Sequence, residues 1–234
     1  MISASGFSAE AFAEAWRIIK SEFLLATWET IYATMLATLF AVIIGLPLGV
    51  LVVVGEKDGV LPLPKWLLAV INFVINVLRS VPFVILVIVL IPFTRVIVGT
   101  SVGTFASIVP LVVAAFPFIA RLVESSLREL NPNIVEMAQS MGASPMQIIV
   151  KVMIPECLPS LLSNLTIAVT TILGYTAMSG IVGGGGLGKI AINYGYYRYK
   201  TVVMIVAVIL LIVLVQIFQT VGTKISAKSD KRLK

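Results

Sequence analysis

The stretch EMAQSMGASPMQIIVKVMIP, Glu136 to Pro155, is spotted with polar residues between long apolar runs. Helix start and stop signals follow one another along it. Asn131-Pro132 supplies an N-cap and then a proline at the first helical position. Asn133 with Glu136 three residues on offers a second cap of the capping-box kind. A short helix is expected to follow and to stop at Gly142, a natural C-terminal glycine. Ser144-Pro145-Met146-Gln147 restarts it with an S-x-x-Q capping box. This second helix is expected to end before Pro155, with Pro155 and Pro159 leading into the next apolar run. The stretch therefore reads as a helix–glycine–helix elbow over residues 131–156. Met137, Met141, Met146 and Ile148 give it apolar knobs suited to a groove on another protein. The alternative is a plain linker lying on a membrane, which has little need for two sets of caps.

The surroundings explain why an elbow is unexpected. Of 234 residues, 59% are hydrophobic and 12% charged, against about 25% charged in a soluble domain. Mean hydropathy is +1.08. These values describe an integral membrane protein. The chain has no histidine and one cysteine, Cys157. A Ser–His–Asp triad, a Cys–His nucleophile and an intrachain disulfide are excluded, and no catalytic, metal or cofactor residue is expected. Cys157 reads as a packing residue. The net charge of +6 comes from Lys and Arg in loops and a tail, which points to membrane topology and not to nucleic acid.

A spanning helix needs roughly 20 apolar residues. Five spans are expected, at about 23–54, 66–93, 102–123, 158–182 and 201–221, giving an all-α polytopic protein. The second carries a break at Ser80-Val81-Pro82, and the third contains Pro110 and Pro117. Residues 1–22 lack the pattern of a cleavable signal. Phe12, Trp16, Ile19 and Phe23 recur at helical spacing there, which predicts an amphipathic helix or an extension of the first span. The basic tail over 222–234, ending KISAKSDKRLK, places the C-terminus and the elbow in the cytoplasm and the N-terminus outside.

Polar residues inside spans are costly and mark either interhelical bonds or a solute path. Glu29 lies in the first span. Asn72, Asn76 and Arg79 lie in the second, before the Ser80–Pro82 break. Broken helices often mark pathways. Asn164, Thr171, Tyr175 and Met178 share one face of the fourth span. All of these except Glu29 are candidate path-lining positions, together with Ser80 and Pro82. Glu29 and Arg79 could also pair with each other.

Gly183 to Lys189 reads GGGGLGK and superficially fits a phosphate loop. Ile190 stands where Ser or Thr should hold magnesium, and no strand precedes it. Its glycines instead suit a non-helical loop at the outer end of the fourth span.

The elbow resembles the EAA loop of type I ABC importer permeases. Glu136-Met137-Ala138, then Gly142, then Val152-Met153-Ile154-Pro155 keep that loop's spacing, with apolar replacements at 137, 152 and 154. Leu78–Gly103, Pro117–Leu127 and Gly174–Tyr196 are similar to the methionine importer permeases within that family, whose subgroup also favours five spans. The resemblance implies an ABC type I permease fold over residues 23–221 and a homodimer in a bacterial inner membrane. Its path would carry L- or D-methionine. It implies two cytoplasmic ABC ATPases, which carry the ATP and magnesium, and a periplasmic or lipid-anchored methionine-binding protein outside. Glu136, Met137, Ala138, Gly142, Ala143, Ser144, Pro145, Met146, Gln147, Ile154 and Pro155 would be the ATPase-coupling positions. A permease for another small amino acid is one alternative. A secondary transporter using Glu29 and Arg79 is another, and a membrane-embedded enzyme is disfavoured by the missing histidine.

Overall fold

The computed structural model describes residues 9–230, with side chains from Phe12 onward. The outermost residues of the 1–22 and 222–234 segments lie outside that range. The described part is mostly helical, interrupted by turns and loops such as 55–64 and 99–103, and four of its helices are long and apolar enough to cross a membrane. A broken pair, Lys65–Ser80 and Phe83–Val89, makes a fifth candidate span.

The first helical run is α1 (Ala9–Ile18), a π-turn over Ile19–Phe23, and α2 (Leu24–Val54). The amphipathic segment is thus an extension of the first span. Its buried face is not the expected one. Ala15, Phe23 and Ala26 are buried, while Phe12 and Trp16 are more than half exposed. The wide turn inserts an extra residue into the helical register, which brings Phe23 round to the core but leaves Phe12 and Trp16 off it.

Then come α3 (Lys65–Ser80), α4 (Phe83–Val89) and α5 (Ile91–Val98). Val81 is extended at the α3 end, as a residue before proline prefers. The third long helix is α6 (Thr104–Arg128), which runs five residues past the expected end at Val123. The elbow is α7 (Pro132–Ser140) and α8 (Pro145–Ile148). A π-turn at Ile149–Met153, α9 (Ile154–Glu156) and α10 (Leu158–Ser179) carry the chain on. A short 3-10 turn at Gly180–Val182, α11 (Gly186–Ile190), a π-turn at Ala191–Tyr196 and α12 (Thr201–Ser229) complete it.

The helix of the elbow does not end before Pro155. It continues through the π-turn into α9, where Pro155 occupies the first turn. A proline there needs no N–H partner, and the Cys157 N–H reaches the Met153 carbonyl at 3.1 Å. Helical backbone therefore leads from the elbow to α10.

The chain divides into two compact units. One holds residues up to Thr38, Pro82–Val112 and Val169–Phe218. Its core is Phe23, Ala26, Leu173, Leu187, Ile190, Val203 and Ala207. Thr30 and Thr34 are buried in it, with hydroxyls donating to carbonyls one turn back. The other holds Leu39–Val81, Val113–Ala168 and the C-terminal residues from Gln219. There α2 and α6 meet backbone to backbone. A Cβ on Gly45 would come within 2.6 Å of the Phe116 carbonyl oxygen, and one on Gly49 within 2.5 Å of that of Ala120. Gly45 and Gly49, four apart, are the small-residue seam that membrane helices use to approach closely.

Candidate functional site: the elbow and its polar ladder

Each end of α7 is closed by bonds that its own sequence supplies. The Asn131 side chain accepts from the Asn133 N–H at 3.0 Å, so the cap is Asn131 and not Asn133. At the other end Gly142 N–H donates to Gln139 O at 2.9 Å, and Ala143 N–H to Ala138 O at 3.1 Å. These two bonds form a Schellman motif. Gly142 sits at φ +75°, a conformation that costs other residues strain. The capping box at Ser144 is formed, with the Ser144 N–H donating to Gln147 Oε1 at 2.9 Å.

Ala138, Ile148, Ile149 and Met153 are buried, so Ile148 anchors the elbow and is not one of its knobs. Met137, Met141 and Met146 are exposed by 58%, 73% and 64%. Glu136, Gly142, Ser144, Pro145, Gln147 and Pro155 are exposed, and Ala143 and Ile154 are half-buried. The elbow is rigid within itself and presents three flexible apolar side chains outward.

The same compact unit holds a ladder of polar contacts between residues far apart in the sequence. Arg121 Nη2 donates to Asn72 Oδ1 and to Asn76 Oδ1, both at 2.8 Å. Arg121 also pairs with Glu124. Arg128 then bonds Glu124 at 2.9 Å and Glu56 at 2.6 Å. The third rung is Asn164, whose Nδ2 donates to Ser126 Oγ at 2.8 Å and to the Leu122 carbonyl at 3.2 Å. Ser160 donates to the same Ser126 oxygen at 3.1 Å. So α10 is tied to α6, and α6 to α3. Asn72, Asn76 and Asn164, expected as path-lining, are all engaged in interhelical bonds.

The remaining candidates are placed separately. Ser80 caps its own helix by donating to the Asn76 carbonyl at 2.8 Å. Arg79 and Pro82 are exposed. Tyr175 stacks on Phe83, with ring centroids 4.7 Å apart. Thr171 is half-buried and Met178 is exposed.

Glu29 accepts from the Gly186 N–H at 2.8 Å, and Thr30 Oγ1 accepts from the Leu187 N–H at 2.9 Å. The backbone donors that a phosphate loop would aim at a ligand are thus spent on α2. A Cβ on Gly185 would fall 1.7 Å from Thr104 Oγ1, and one on Gly188 2.2 Å from the Ala177 carbonyl oxygen. Gly185 and Gly188 are there for close packing.

Four apolar helices of spanning length, a broken fifth and a capped, exposed elbow have the make-up of a membrane transport permease. Residues 45–224 match the binding-protein-dependent transport system inner membrane component family, and the chain belongs to that family. It is the permease subunit of an ABC importer.

The chain is 48% identical over 221 residues to the probable D-methionine transport system permease protein MetI of Vibrio cholerae, covering 93% of this chain and 96% of that protein. It is 48% identical over 153 residues to the D-methionine transport system permease protein MetI of Escherichia coli K12, covering 65% and 70% of the two chains. Among solved structures, a chain of the MetNI methionine ABC transporter in an inward-facing conformation superposes with a TM-score of 0.87 at 44% identity. The match covers 89% of this chain and 96% of that one. An amino acid ABC transporter at 17% identity shares the fold with a TM-score of 0.73.

Proposed function

We propose that this chain forms, as a homodimer, the membrane path of a methionine importer, and that residues 131–156 couple it to two cytoplasmic ATPase subunits. Methionine as substrate rests on the similarity to D-methionine permeases over almost the whole chain. The coupling role rests on one observation. The elbow is closed by its own caps, anchored by Ala138 and Ile148, and leaves Met137, Met141 and Met146 exposed. A partner that grips those side chains moves a stiff body.

The motion has a physical route. Helical backbone leads from α8 to α10, so a push on the elbow is carried into α10. Ser160 and Asn164 pass it to Ser126 on α6. Arg121 passes it to Asn72 and Asn76 on α3, one turn before the Ser80–Pro82 break. Charge-assisted bonds of this kind contribute about 1.5–3 kcal/mol each in protected settings. The two Asn bonds can therefore hold α3 to α6 through a stroke.

The chain itself performs transport and no catalysis, with ATP and magnesium bound by the partner ATPases. The elbow and the C-terminus face the cytoplasm, and a methionine-binding protein docks on the opposite side.

The test is uptake by the complex reconstituted in vesicles. Labelled methionine should accumulate only with ATPase subunits and ATP present, and excess methionine should block it. Uptake that persists without any ATPase would favour an ion-coupled transporter instead. Failure of methionine to compete would overturn the substrate.

A further inference from the structure

One arginine inside a candidate span has no ion-pair partner among the described residues. Arg79 is exposed near the end of α3 and takes part in none of the chain's salt bridges. Asn76, one turn back on the same helix, gives its Oδ1 to Arg121 at 2.8 Å. The Ser80 hydroxyl donates to the Asn76 carbonyl. Carboxylates are scarce at this depth. Of the 11 Asp and Glu side chains, Glu29 alone lies in the five expected spans, and it accepts from the Gly186 N–H. Glu124, just past the third span, is paired with Arg121 and Arg128. A second copy of the chain brings the same inventory. A charge inside a membrane protein needs a partner, and for Arg79 the place to look is outside the protein.

The pattern of α3 shows which way Arg79 faces. Trp66, Val70, Phe73 and Val77 recur at spacings of four, three and three-plus-one residues, are all exposed, and form an apolar face that suits lipid. Lys65, Asn72, Asn76 and Arg79 recur at spacings of seven, four and three and form a separate polar stripe. Asn72 and Asn76 on that stripe bond Arg121 of α6, so the stripe is turned toward protein and not toward acyl chains. Depth is read along this one helix. Lys65 opens α3 close after the charged Glu56–Asp58 turn, and such charges belong at a membrane surface. Arg79 lies 14 residues further on, about 21 Å at 1.5 Å per residue. The hydrocarbon layer is ~30 Å thick. Arg79 therefore stands within it, short of the phosphates on the far side.

We propose that Arg79 binds the α-carboxylate of the transported amino acid during its passage. The proposal rests on the amino-acid importer reading above. A free amino acid such as methionine carries one anionic group, and a guanidinium meets a carboxylate with two parallel N–H···O bonds. The fork of Arg79 is held by no carboxylate of its own chain. An amidated methionine lacks the negative charge, so Arg79 makes the path selective for the free acid.

The test reads the neighbourhood of Arg79 in the intact permease–ATPase complex reconstituted in vesicles. Ser80→Cys puts a thiol at the next exposed position, and the native Cys157 is buried. Methionine should slow alkylation of that thiol by a maleimide. Methioninamide, which keeps the side chain and lacks the carboxylate, should not do so at the same concentration. Adding Arg79→Gln should raise the methionine concentration needed at least about tenfold, as loss of a charge-assisted pair implies. Arg79→Lys, which keeps the charge and loses the fork, should fall between. Equal protection by methionine and its amide, or undiminished protection in Arg79→Gln, overturns the proposal. So does protection by phosphatidylglycerol without methionine, which would assign Arg79 to a lipid phosphate. Uptake by the unaltered complex separates this site from the broader reading. Methionine uptake with no protection at Ser80→Cys removes the Arg79 site alone, and no methionine uptake removes the substrate on which it rests.

Discussion

Replacing Gly142 in a graded series tests whether the rigidity of the elbow matters. Gly142 is exposed, and a Cβ built on it meets nothing within 4 Å. Substitution there acts through backbone strain alone. At φ +75° an alanine costs about 1–2 kcal/mol, offset by roughly 0.4–1 kcal/mol from the stiffer unfolded chain. The net of about 1 kcal/mol lowers the closed-to-open ratio of the elbow about fivefold. Asparagine tolerates the left-handed region and costs less. Proline cannot reach that φ and also removes the N–H that bonds Gln139 O at 2.9 Å. Its cost is about 3 kcal/mol or more, which opens the Schellman motif. A nine-residue helix is too short to persist without its ends closed. ATP-driven uptake in reconstituted vesicles, normalised to permease content, should therefore fall in the order Gly, Asn, Ala, Pro. Equal uptake across all four, at equal incorporation, would refute the idea that a stiff elbow transmits force.

The ladder predicts a second effect: Arg121→Gln and Asn76→Ala should each slow uptake, and the double variant should do little more. The shared term in that double-mutant cycle should be about 1 kcal/mol, and strict additivity would disconnect α3 from α6. Gly188→Ala should lower the thermal midpoint of the detergent-solubilised complex, since its Cβ would lie 2.2 Å from the Ala177 carbonyl oxygen. Gly174→Ala, where nothing lies within 4 Å, should hold or raise that midpoint by helix propensity. The hydrogen bond to Glu22 raises the Tyr194 phenol above its ordinary 10.0, with burial and the Glu22 charge acting the same way. A raised pKa favours the protonated phenol in the fold. Its stabilisation is complete below pH 10 and is lost as the pH climbs through the folded value. Ultraviolet titration against Tyr194→Phe should show one tyrosine ionising later than the ordinary range.

What the sequence reveals and what it hides follow the range of the interactions. The caps of the elbow are legible because each is a contact within a few residues: Asn131 to Asn133, Gly142 to Gln139, Gln147 to Ser144. The stop at Pro155 is misread because a π-turn upstream removes the need for the missing N–H. Ile148 is misread as a knob because four helical residues do not reveal which side is buried. Arg121 escapes notice because its Asn partners lie 45 and 49 residues away. The only local hint is the spacing of Arg121, Glu124 and Arg128, which suits ion pairs along one helix face. Glu29 finds a backbone N–H 157 residues away, and no sequence pattern announces such a partner.

The most direct test of coupling places a photo-crosslinking residue at Met141, which is 73% exposed on the elbow. The control position is Val96, 85% exposed on α5. In the complex purified in mild detergent, the Met141 probe should capture the ATPase subunit, and the Val96 probe should not. Capture from Val96 with none from Met141 would contradict the assignment of residues 131–156 as the place where the permease receives its drive.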